Sequence, residues 1–256
     1  MSRWERLRET HTGFGGGKGI YGQAAKTHDK KTGEAARYVF GLLEKAFPEH
    51  VFRHRFTIPK TDINEKLNQL NPELGVTQFV MTSSVKPDGG VIEVRDVHGG
   101  WRAILIAEAK KQGTNVKRIE EGLGKQAQGN AIERTHKNIA ELKNYMMGER
   151  HFPYVVFMHG SDLTTQILHV REPTGRVVEL PPTSIPDRLT AANCGMPVNT
   201  PYCRNVFVEH DDGSEIMLQI ASLYMRNEPW RKEEMVEVMI ELAEDSLACL
   251  DESEQL

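Results

Sequence analysis

Apolar side chains recur at helical spacing over residues 33–47, at Ala36, Val39, Phe40, Leu43 and Ala46, which predicts a first core helix behind a polar, glycine-rich lead. Residues 51–58 alternate with the period of a strand, 62–70 predict a short helix, and 77–81 are strand-like again. Two β-rich runs, 91–95 and 101–107, flank a turn cluster at 96–100, so together they predict a hairpin. A helix over 130–147 follows, with Ile132, Ile139, Leu142 and Tyr145 or Met146 as its apolar stripe. Beyond it, strands are predicted at 166–171, 176–180 and 206–209 after one at 154–158, and helices at 215–226 and 232–250. The pattern is mixed α/β. With no internal repeat and no low-complexity linker, it predicts a single domain over 1–256, carrying a flexible basic arm at about residues 1–32.

Composition narrows the class. A chain of 256 residues, 39% hydrophobic and 27% charged, can enclose one continuous core. No run approaches the roughly eighteen apolar residues of a membrane helix, and the first residues lack a signal-peptide apolar stretch, so a cytoplasmic protein is expected. Cys194, Cys203 and Cys249 show no CxxC spacing, which predicts reduced, packed thiols rather than a disulfide framework or a zinc knuckle. The stretch Gly13-Phe14-Gly15-Gly16-Gly17-Lys18-Gly19 does not fit a phosphate-cradling P-loop.

The formal net charge of -4 conceals a segregation of charge. Residues 1–31 hold seven Lys/Arg against three Asp/Glu, and residues 110–137 hold the same numbers. Residues 231–256 reverse this, with two basic and nine acidic side chains, as suits a solvated outer helix. Two basic segments are thus available to a polyanion.

The hairpin carries the candidate chemistry. If its turn is symmetric about His98, Asp88 lies opposite Glu108, and Glu108 and Lys110 project together while Ala109 turns inward. Two carboxylates beside an ammonium suit phosphodiester hydrolysis: hard oxygens hold Mg²⁺, and the lysine orients water or accepts its proton. Both lysine roles remain open at this point. The plainer reading makes Pro87-Asp88-Gly89-Gly90 a turn and Glu108 with Lys110 a solvent-facing strand pair.

A second group opens the helix after Gly129. Asn130 as N-cap with Glu133 three residues on forms a capping box, which accounts for both residues without a ligand. Asn130, Glu133 and Arg134 also match the donors and acceptors needed to read base edges in a major groove. A palindromic target read by such a tip calls for two-fold symmetry, hence a homodimer.

The blocks Ser84-Val85-Lys86-Pro87-Asp88-Gly89-Gly90, Ala107-Glu108-Ala109-Lys110-Lys111-Gln112-Gly113 and Gly129-Asn130-Ala131-Ile132-Glu133-Arg134 together resemble the EcoRI-type type II restriction endonucleases of the PD-(D/E)xK nuclease superfamily. His151-Phe152-Pro153-Tyr154-Val155, Asp187-Arg188-Leu189-Thr190-Ala191-Ala192-Asn193 and Gly195-Met196-Pro197 continue the likeness in the same order. The resemblance implies a restriction endonuclease-like fold, a central mixed five-stranded sheet flanked by helices, in a homodimer that cuts double-stranded DNA and leaves 5′-phosphate ends. It implies Mg²⁺ on Asp88, Glu108 and the Ala109 carbonyl, with Lys110 serving the attacking water. Asn130, Glu133 and Arg134 would read the adenines of a central AATT, with Ala131 and Gln112 near the thymines and Arg188 supporting the interface. The implied target is GAATTC, protected in the host by an adenine methyltransferase. The chain departs from the family pattern in a shorter stretch ahead of Gly129, with Gln126-Ala127-Gln128 there, and in Ile185 where an arginine is expected. Both departures bear on the outer base pairs and flanking contacts. The rival readings are a structure-selective nuclease, a non-catalytic DNA-binding module of the same fold, and a homologue that folds but no longer cuts.

Overall fold

The computed structural model describes residues 20–75, 82–111, 120–122, 129–160, 168–171, 174, 176–180, 198–226, 228–253 and 256. The predicted strand at 77–81, Gln112, Arg188, Ile185, residues 126–128 and Cys194 lie outside the described residues, as do residues 1–19 of the predicted arm.

A long helix α1 (Ile20–Ala46) leads into β1 (Phe52–Arg55), β2 (Ile58–Pro59), α2 (Lys60–Leu70) and β3 (Ser84–Val85). The hairpin is β4 (Gly90–Arg95) and β5 (Trp101–Lys111), followed by α3 (Gly129–Tyr145) and β6 (Tyr154–His159). Then come β7 (Leu168–Arg171), β8 (Val177–Leu180), β9 (Val206–Glu209), β10 (Glu215–Leu218), β11 (Ser222–Arg226) and α4 (Lys232–Glu252). The central sheet has five strands in the order β1-β4-β5-β6-β11. It is mixed, because β1, β4 and β5 are antiparallel while β5, β6 and β11 run parallel. The predicted α/β class with a mixed five-stranded sheet is therefore the observed one. Among the described residues, no helix is long and apolar enough to cross a membrane.

Helices cover both faces of the sheet, and each face has its own core. On one side Ala35, Val39 and Leu43 of α1 pack with Met235, Met239 and Leu242 of α4 against Ile92, Leu105 and Phe157. On the other, Ile139 and Leu142 of α3 meet Val91, Ile106, Val156 and Met158. The central strands β5 and β6 are buried throughout most of their length, which explains their near-continuous apolar runs. The acidic residues of α4 do lie outside, but its opposite face is core.

Three expectations need correction. Residues 20–32 are not part of a flexible arm: they form the first half of α1. The helical stripe continues backward through Thr32 and His28, both buried but polar, so apolar periodicity misses it. Thr32 Oγ1 donates to the His28 carbonyl at 3.1 Å, and His28 Nε2 donates to the Phe157 carbonyl at 3.2 Å. The predicted helix at 215–226 is instead the strands β10 and β11. A short apolar run bounded by polar residues fits a two-face-buried strand as well as a helix, and β11 pairs with β6 from Ser222↔Val155 to Arg226↔His159. Finally, Asn130 is the second residue of α3 rather than its N-cap.

Candidate active site

The hairpin does not keep one register. Near the turn, Arg95 pairs with Trp101 and Glu93 with Ala103; beyond an irregularity between Ile92 and Glu93, Ile92 pairs with Leu105 and Gly90 with Ala107. Ile104 is the extra residue of a β-bulge. Asp88 therefore faces Ala109 rather than Glu108, which corrects the symmetric pairing. Its Oδ2 accepts a hydrogen bond from the Ala109 N–H at 3.1 Å, and the Gly89 N–H donates to the Ala107 carbonyl at 2.9 Å.

The trio still converges. Lys110 Nζ lies 3.5 Å from Asp88 Oδ2, donates to the Ala109 carbonyl at 3.0 Å, and pairs with Glu108 Oε1. The solvent-facing reading of Glu108 fails, because its side chain is 1% exposed. Burial pushes the Glu108 carboxyl up to about 7, a shift opposed by the Lys110 charge and reinforced by Asp88. Burial works against the charged Lys110, but the two carboxylates outweigh it and hold the ammonium above its ordinary value. Lys110 therefore faces both acids as a cation.

Two glycines aim Asp88. Gly90 has φ +77°, a left-handed conformation, and a Cβ there would come within 2.6 Å of the Arg55 carbonyl. A Cβ on Gly89 would meet Ala107 Cβ at 2.6 Å. Gly89→Ala is thus expected to displace the turn, costing about 1–3 kcal/mol of stability. Thermal melting of that variant checks this; a melting temperature equal to wild type would sink it.

A divalent cation fits the donor set. Asp88 and Glu108 offer hard carboxylate oxygens, and Glu108 Oε2 is buried with no hydrogen-bond partner among the described residues. Among the described residues, no three His, Cys, Asp or Glu side chains gather as a ligand cluster.

Several neighbours carried no sequence signal. Asp29 of α1 has its carboxyl raised to about 6, by burial first and then by the Asp88 charge. Gly33, one turn further on, would place a Cβ 3.4 Å from the Asp88 carbonyl, so this helix face abuts the site. His54 Nε2 donates to the Gly89 carbonyl at 2.8 Å, and Asn138 Nδ2 donates to Glu108 Oε1 at 3.2 Å. Asn138 was detectable only as a polar residue one turn after Arg134 on the same helix.

Two carboxylates and a lysine held by a bulged hairpin in a mixed five-stranded sheet suit phosphodiester hydrolysis, and comparison with known proteins supplies the family. Residues 14–255 match the family described as restriction endonuclease EcoRI. The chain belongs to the EcoRI restriction endonuclease family. It is 47% identical over 259 residues to the type II restriction enzyme EcoRI of Escherichia coli, covering 96% of this chain and 93% of that protein. It is 44% identical over 245 residues to the type II restriction enzyme RsrI of Cereibacter sphaeroides, covering 91% and 88% respectively. This EcoRI-family member is a type II site-specific deoxyribonuclease.

The second candidate group lies apart from the hairpin trio in sequence, at the start of α3. The backbones of Asn130 and Ala131 lie in the first turn of α3, and Glu133 and Arg134 on the next residues are exposed. A cleft of about 490 Å³ lies elsewhere, lined by Arg53, Arg55, Lys66 and Arg102 with the acids they pair with. Its cations are already neutralised by Glu93, Asp62, Asp96 and Glu149, so it does not compete for a phosphate.

Proposed function

We propose that this EcoRI-family enzyme is a Mg²⁺-dependent homodimer of the cytoplasm that cuts duplex DNA within GAATTC and leaves 5′-phosphate ends. The observation that carries the reading is the convergence of Asp88 Oδ2, Glu108 Oε1 and the Ala109 carbonyl on one cation, the Lys110 ammonium. Asp88, Glu108 and the Ala109 carbonyl hold the cation, which when bound supplies Lewis-acid neutralisation of the attacked phosphate.

The chain's own residues do the rest. Lys110 lies between both carboxylates and orients the attacking water through its ammonium. The bulge and the two glycines hold Asp88 against the Ala109 N–H, so the acids approach without either relying on a flexible loop. Asn130, Glu133 and Arg134 read adenine edges from the tip of α3, with Ala131 and Gln112 beside thymine and Arg188 at the interface. A palindrome matches two copies of that tip related by a dyad. A partner adenine methyltransferase protects the host site without needing a physical contact.

Incubating the purified protein with Mg²⁺ and mapped duplex DNA is expected to give cuts confined to GAATTC, absent in Glu108→Ala and without added metal. Preferential cleavage of branched DNA would favour the structure-selective reading, and metal-independent binding without any cut would favour a non-catalytic module.

A further inference from the structure

We infer that Asn138 is a positioning residue that couples reading to cutting: it hangs from the reading helix and fixes the orientation of the Glu108 carboxylate. The inference rests on the proposed endonuclease activity and extends it to a residue outside the trio.

The geometry is direct. Asn138 Nδ2 donates to Glu108 Oε1 at 3.2 Å, and Lys110 pairs with the same oxygen. Oε2 is buried, with no hydrogen-bond partner among the described residues. The terminal torsion of a glutamate is broad and two-fold, so rotation alone would exchange the two oxygens. A donor fixed to Oε1 removes that freedom and keeps that oxygen where Asp88 Oδ2 and the Ala109 carbonyl also converge on Lys110. The carboxamide does this without charge. Unlike a second lysine, it orients the carboxylate while leaving the negative charge that a cation needs.

Asn138 also lies where a signal from the DNA would pass. It follows Arg134 by one helical turn, on the same face, and lies about 12 Å along the axis from Asn130. The helix is rigid over that length and is anchored at its far end, where Tyr145 Oη donates to the buried Glu93 at 2.6 Å. When Arg134 and its neighbours seat on base edges, the turn bearing Asn138 is set with them. Seating on a wrong base leaves that turn displaced, and Glu108 loses its fixed donor. Selectivity then appears in the cutting step as well as in affinity.

The test compares wild type with Asn138→Ala, Asn138→Leu, Asn138→Gln and Asn138→Asp. Affinity for a GAATTC duplex is measured without divalent metal, and single-turnover cleavage is measured with Mg²⁺ on that duplex and on one with a single base pair changed. The expected result is near-wild-type affinity in every variant, with a cognate cleavage rate lowered about 10²-fold in the Ala and Leu forms. Gln, which keeps the amide, recovers part of the rate, and Asp, which sets a like charge beside Glu108, falls lowest. The ratio of cognate to altered-site rates shrinks in Ala and Leu, an effect that simple loss of packing would not produce. Wild-type rates in Ala and Leu, an unchanged ratio, or affinity and melting temperature lost together with cleavage would each overturn the coupling. Failure of the wild type to cut GAATTC would instead overturn the proposed function.

Discussion

Lys110→Ala holds its DNA but cuts about 10²–10³-fold more slowly, the loss expected when one positioned donor is removed from a reaction centre. The side chain is 17% exposed and touches both carboxylates and the Ala109 carbonyl, so no neighbouring group can replace it. Removing its charge also leaves Asp88 and Glu108 facing each other without a counter-ion. Glu108, already pushed up to about 7 by burial, then binds its proton more tightly. The variant therefore needs more Mg²⁺ to reach half its own maximal rate. Lys110→Arg does not restore cutting, because the planar guanidinium cannot occupy the compact site between the two acids. Single-turnover rates across a Mg²⁺ titration, beside metal-free binding, test this; a Lys110→Ala rate within error of wild type would remove the lysine from the mechanism.

Glu93→Ala is expected to cost about 3–5 kcal/mol of stability, the usual result of breaking a buried ion pair by removing one partner. Glu93 is fully buried and accepts from Arg53 at 2.6 Å, from Arg55 at 2.8 Å and from Tyr145 Oη at 2.6 Å. Its loss leaves two guanidinium groups, 32% and 22% exposed, without their shared acceptor. At roughly 2–4 °C per kcal/mol for a chain of this size, melting falls by about 10 °C. Burial alone would raise the Glu93 carboxyl, but the bonds from Arg53 and Tyr145 and the charge of Arg55 hold it below the ordinary glutamate value. A carboxyl depressed in the folded state stabilises above its unfolded pKa, so this contribution is full at neutral pH and disappears as acid carries the solution through the folded value. Glu93→Ala should thus flatten the acid limb of the stability curve. Its cleavage falls too, since Glu93 borders the bulge that sets the hairpin register. Calorimetric melting between pH 4 and pH 8 checks both effects, and an unchanged melting temperature would refute the role of the network.

How legible the molecule was in its sequence varied with the kind of residue doing the work. Strands β4, β5 and β6 stand out as short β-rich apolar runs bounded by turn residues, and the helices α3 and α4 follow apolar periodicity, because their buried positions are filled by Val, Ile, Leu, Met and Phe. The front of α1 was hidden because His28 and Thr32 take core positions as polar residues satisfied by hydrogen bonds. Strand β11 was hidden because burial on both faces removes the alternation that marks a strand. The trio was legible from spacing, yet the reason it converges was not: counting back from His98 cannot reveal an extra residue at Ile104. Asn138 and Asp29 reach the site through tertiary packing alone, from helices distant in sequence, and spacing contains no trace of that.

The mixed sheet also sets an order in which the enzyme comes into being. The hairpin of β4 and β5 is local in sequence and can close early, whereas β6 adds to the other edge of β5 in the parallel sense, which requires a crossover. That crossover contains α3. The strand that carries Glu108 and Lys110 and the helix that carries Asn130, Glu133 and Arg134 are thus tied together by one crossover, so a chain change that weakens the packing of α3 also loosens β6 against the strand of the candidate centre.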